Sequence, residues 1–135
     1  MSVYLANTGT LTVNAVDLST LVTNVTINRA FDELEVTTLG DSGHRFVKGL
    51  EASSITIDFL NDEATSKTLQ TLAAVWGTNT TVTFKQFAGA TAATNPLYTM
   101  TCLVNNITPV NGAVADLSTQ SVTWNVSGTI AVTTS

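Results

Sequence analysis

The chain has 135 residues, 44% hydrophobic and only 11% charged, with a net charge of -5; that length makes one domain with a compact radius of gyration of roughly 14 Å. Charge so sparse, against about 25% in ordinary soluble proteins, leaves a surface that is neutral and rich in Thr, Asn and Ser, or covered by partners. Five dispersed cations exclude a strong basic stripe for duplex DNA, no 18-residue apolar run marks a membrane helix, and the single Cys102 excludes an internal disulfide. Residues 1–4 lack the basic and apolar regions of a secretory signal, so a soluble, unprocessed chain is expected.

In chain order, apolar and polar alternation predicts strands over residues 10–16 and 21–29. Two further strands, 33–38 and 53–60, flank a Gly-punctuated loop over 39–50. In the first, Leu34 and Val36 point away from Glu33, Glu35 and Thr37; in the second, Ile55, Ile57 and Phe59 point away from Ser54, Thr56 and Asp58. One side of this sheet is therefore expected to be polar and acidic, with Glu33, Glu35 and Asp58 as its carboxylates. The loop gathers two of the five basic residues, Arg45 and Lys48, with the sole His44 and an apolar Phe46-Val47 pair, next to Gly40 and Asp41. A protruding arm of that content suits docking onto an acidic copy of the same surface.

A helix is expected next, over about residues 62–76. Asn61 or Asp62 caps it, Glu63 favours the positive end of its dipole, and Leu69, Leu72, Ala73 and Trp76 make one buried stripe before Gly77 stops it. That stripe is expected to pack on the apolar face of the sheet, with Trp76 in the core. Strands follow over 80–87 and 97–107, joined by a small-residue surface loop that ends at Pro96. Cys102 falls in the second of these strands and reads as a small buried hydrophobe. After a loop at 109–116, the clearest strand runs over 120–132, with Val122, Trp124, Val126, Ile130 and Val132 on its core face. Asp17-Leu18-Ser19-Thr20 is echoed at Asp116-Leu117-Ser118-Thr119, too short a match to establish a duplication.

Motifs for catalysis are weak. Gly40-Asp41-Ser42-Gly43 matches the nucleophile turn of chymotrypsin-like proteases, but the single His follows the Ser instead of preceding it, and the chain is too short for two barrels. Asp32, Glu33 and Glu35 lack the spacing of a calcium loop, and His44 has no His or Cys partner for zinc. Asn-x-Ser/Thr sequons at Asn24, Asn79, Asn106 and Asn125 bear on glycosylation only in a secreted eukaryotic protein. No residues point to a cofactor or a metal.

The order of these parts resembles the major tail tube proteins of long non-contractile-tailed bacteriophages. The resemblance lies in Asp17-Leu18-Ser19, then Glu35-Val36-Thr37-Thr38 with Gly40-Asp41, Arg45-Phe46 and Gly49-Leu50, then Ser54-Ile55-Thr56-Ile57-Asp58-Phe59, the helix, and Ser121-Val122-Thr123-Trp124. It implies a mainly β fold, a sandwich or partly closed barrel with one flanking helix. It further implies hexameric rings that stack into a hollow tube conducting double-stranded DNA without specific binding. The loop over 39–50, with Gly40, Asp41, His44, Arg45, Phe46, Val47 and Lys48, would reach between subunits and rings; Glu33, Glu35 and Asp58 would be lumen candidates. Implied partners are further copies of itself, a tape measure protein and a tail terminator, and the implied location is the virion tail, built in the bacterial host's cytoplasm. A capsid decoration or adhesin-like sandwich is the alternative binding module, and a small hydrolase using Ser42 is the enzymatic one.

Overall fold

A computed structural model describes residues 9–87 and 89–134. Two sheets face each other. The larger contains β1 (Thr10–Val13) and β2 (Val16–Asp17). After β1 and β2 come β3 (Val22–Asn28), β4 (Phe31–Glu35), β5 (Phe46–Glu51) and β6 (Ser54–Leu60). The helix α1 (Thr68–Val75) precedes β7 (Asn79–Lys85), β8 (Leu97–Leu103), β9 (Thr119–Asn125) and β10 (Ala131–Thr133). Hydrogen bonding orders them as β10-β8-β7-β1-β2 in one sheet and β3-β6-β9 in the second, with β4-β5 forming a separate two-stranded ribbon. The result is a mainly β sandwich with one helix, and none of its sheets closes into a barrel.

Alternation explains the core. Ile55, Ile57 and Phe59 of β6 and Val122 and Trp124 of β9 point inward from the small sheet, meeting Leu11, Val13, Val82, Met100 and Cys102 from the large one. Trp124 is wholly buried and its indole Nε1 donates to the Asn106 carbonyl at 3.0 Å, so its polar edge is satisfied where its ring is dry. Cys102 is equally buried, as expected, and burial pushes its thiol up to about 11.

Four expectations are corrected. The helix is half as long as its pattern suggests. Asp62 spends its carboxylate on the Ala64 amide at 2.9 Å, and Ser66 adopts φ of 61°, so regular helix starts only at Thr68. Its buried stripe is then Thr68, Thr71, Leu72 and Val75, one residue out of phase with the expected one. Trp76 accordingly leaves the helix end 53% exposed instead of entering the core. Gly77 does supply the stop, at φ of 77°, a conformation that favours glycine.

The strand expected over 120–132 is two strands in different sheets. Gly128, at φ of 102°, lies in the crossing between β9 and β10; Ile130 stays buried while Val132, expected inside, is exposed. Half of the expected loop over 39–50 is strand β5, which pairs with β4. Finally, Glu33 and Glu35 do not share a sheet with Asp58, because β4 pairs with β5 whereas β6 pairs with β3 and β9.

Candidate functional site

The other described residues leave the β4-β5 ribbon largely exposed. Every residue of β4 is exposed, as are Phe46, Val47, Lys48 and Leu50 of β5. Leu34 lies opposite Val47, Glu35 opposite Phe46 and Glu33 opposite Lys48. Strand alternation therefore groups Leu34, Val36 and Val47 with Asp32 on one face of the ribbon, and Phe31, Phe46, Glu33, Glu35 and Lys48 on the other. Gly49 is required where the strands cross closely, because a Cβ there would stand 2.8 Å from the Asp32 carbonyl oxygen.

Each basic side chain of this arm has a partner within it. His44 Nδ1 lies 2.6 Å from Glu35 Oε2, Arg45 Nη1 is 3.6 Å from Asp41 Oδ1, and the Lys48 ammonium sits 4.5 Å above the Phe31 ring. The Thr37 hydroxyl and His44 hold the Glu35 carboxyl below its usual range. At the tip, Asp41 accepts from the Thr38 amide at 2.8 Å and the Thr37 hydroxyl accepts from the Arg45 amide at 3.0 Å, which fixes the turn. The expected basic arm thus has its basic groups engaged within itself, and its large exposed groups are apolar. Glu51 fastens its root: the carboxylate accepts from Ser53 Oγ at 2.6 Å and from the Ile130 amide at 3.1 Å, and those two bonds lower its pKa.

Ser42 lies at the exposed tip, and no hydrogen bond joins its hydroxyl to His44, whose ring is held by Glu35. Among the described residues no three His, Cys, Asp or Glu side chains are close enough together to hold a metal ion.

A second surface contains the polar face expected for Ser54, Thr56 and Asp58, but its full extent needs three strands that are distant along the chain. On the outer face of β3-β6-β9, Asn24, Thr26 and Asn28 stand beside Ser54, Thr56 and Asp58, and these beside Ser121, Thr123 and Asn125. Thr56 and Thr123 hydroxyls bond across it at 3.0 Å, and Asn24 Nδ2 donates to Asp58 at 3.4 Å. Asp58 is the sole ionisable side chain on these three strands. The outer edge of β9 is partly covered, since the Asn106 and Asn111 amides donate to the Thr123 and Thr119 carbonyls at 3.0 and 2.8 Å. Within the described residues the outer edge of β3 takes no strand.

No protein-family model matches this chain, and no curated protein is significantly similar to it. Among the described residues no helix is long and apolar enough to cross a membrane.

Proposed function

We propose that this chain is a self-assembling structural protein, the subunit of a hollow tube of the phage-tail kind. The observation that carries the reading is the arm. A two-stranded ribbon alone is marginally stable in water, yet this one keeps Phe31, Leu34, Phe46 and Val47 about half exposed with no core of its own. Apolar surface of that extent on an exposed ribbon is suited to burial by another copy.

Two other features support it. Among the described residues β3, seven residues long, pairs with β6 alone, so the N–H and C=O groups on its outer edge face no strand, and an edge of that length is an aggregation liability unless a neighbour pairs with it. Joined edge to edge around a ring, the small sheets would present their Ser, Thr and Asn faces as one wall. Such a wall, with one carboxylate per subunit and no cation, gives a phosphate backbone nothing to bind, which suits a conduit for double-stranded DNA. In this reading six copies close each ring, the arms join ring to ring, and the tube belongs to the virion tail, where a tape measure protein and a terminator set its length.

Negative-stain electron microscopy of the untagged protein over a concentration series, with size-exclusion chromatography alongside, tests this. Rings or filaments with a central lumen are expected. A monomer at every concentration refutes the proposal.

A further inference from the structure

The arm and a second apolar feature are rooted at opposite ends of the small sheet. The arm leaves and returns where Asn28 and Asn125 flank Ser54. The loop over 105–118 lies at the other end, where Leu60 pairs with Thr119 and the Asn61 amide donates to the Ser118 carbonyl at 3.0 Å. A seven-residue strand separates these ends by roughly 20 Å.

Hydrogen bonds hold this loop in shape. Asn61 Nδ2 donates to Ser118 Oγ at 2.8 Å, Ser118 Oγ donates to the Asn111 carbonyl at 2.6 Å, and Gln120 joins Asn61 at 2.8 Å to the Thr108 amide at 2.9 Å. On that frame Val110, Val114 and Leu117 face outward. Leu117 is 72% exposed, whereas Leu18, at the same place in the echoed Asp-Leu-Ser-Thr step, is fully buried. One copy of the step thus feeds the core and the other feeds the surface. Beside the loop lies an open recess lined by Leu69, Pro109 and Val110 together with Glu63 and Asp116, and no Lys or Arg lines it. Neither carboxylate takes part in an ion pair among the described residues.

We infer that this recess and its apolar rim receive the arm tip of a second copy of this chain. The inference rests on the self-assembly reading and names the acceptor surface which that reading leaves open. The tip brings matching chemistry: Leu39 is wholly exposed, and the Arg45 side chain is 63% exposed with a single 3.6 Å contact to Asp41, which leaves most of its five N–H donors unused. An apolar tip with an exposed, largely unused guanidinium meets an apolar and anionic recess. Because the two surfaces differ and are rooted at opposite ends, each docking leaves a fresh tip and a fresh recess, so the contact propagates head to tail without closing.

Thiol pairing tests the geometry. Ser42→Cys and Ala113→Cys variants, both at exposed positions, are prepared separately, mixed, assembled and oxidised; the native Cys102 thiol is buried and stays out of the reaction. A disulfide joining the two introduced thiols, found by mass spectrometry in the mixture and missing from either variant alone, is the expected result. Assembled particles without that bond overturn the acceptor assignment and leave self-assembly standing; absence of particles from the wild-type protein overturns both. A charge exchange reads the same contact independently. Arg45→Glu is expected to raise the critical concentration about tenfold, and Arg45→Glu with Asp116→Arg to return it to within about threefold of wild type. A double variant as impaired as the single one, or worse, overturns the pairing.

Discussion

Replacing Phe46 and Val47 together by Ala separates assembly from folding. Phe46 is 52% exposed and Val47 46% exposed, and both belong to the ribbon instead of the core. Complete burial of such a side chain contributes about 1.5–3 kcal/mol, so covering the exposed half contributes roughly 1 kcal/mol for each and about 2 kcal/mol for the pair. At about 1.4 kcal/mol per tenfold, the critical concentration rises roughly 30-fold. Global stability changes by less than about 0.5 kcal/mol, as for other substitutions away from the core. Sedimentation of polymer from free subunit across a dilution series measures the first quantity, and urea unfolding followed by tryptophan fluorescence measures the second. A critical concentration within threefold of wild type refutes the reasoning, and so does a urea midpoint that falls in step with it.

Trp124→Ala is expected to do the reverse, destabilising the free subunit by about 3–5 kcal/mol in urea unfolding, because it removes a fully buried indole and strands the Asn106 carbonyl. Stability should also fall in acid. Hydrogen bonds from Ser19 hold Asp17 below its ordinary 3.8, and those from Ser53 and Ile130 hold Glu51 below 4.5, so the stabilisation is complete above these values and is lost as the pH drops through the lower folded ones. Urea midpoints at pH 7 and pH 3 should therefore differ more in the wild type than in Glu51→Gln. Cys102, with its thiol raised to about 11 by burial, should resist a thiol reagent at pH 8 in the folded protein and react fully once urea unfolds it; rapid labelling of the native chain would count against the packed core described above.

The sandwich core was legible because period-two alternation reports which face of a strand is apolar: Ile55, Ile57, Phe59, Val122 and Trp124 all point inward as read. Alternation does not report which strand lies beside which. That is why Glu33 and Glu35 looked continuous with Asp58, and why the ribbon's independence from both sheets went unseen. The helix was misphased for a local reason, the Asp62 turn and the left-handed Ser66, which override a spacing that fits either stripe. Position 128 carried a readable clue. A glycine inside a long alternating run marks a place where the chain can bend away, and here it leaves one sheet for the other. The arm's exposed apolar groups were legible as residues, but the pairing of His44 with Glu35 and of Arg45 with Asp41 required the turn to be built first.

The ribbon's detachment also sets a clock. Strands that lean on no core open at low free-energy cost, so in the free subunit the β4-β5 amides should exchange with deuterated solvent long before those of β6 and β9. Docking then has to order a segment that was fluctuating, and that ordering opposes the first contact between two free copies far more than it opposes addition to an end where several surfaces engage together. A subunit built this way would remain dispersed while it accumulates and grow quickly once a seed exists, its polymerisation showing a lag that preformed ends abolish.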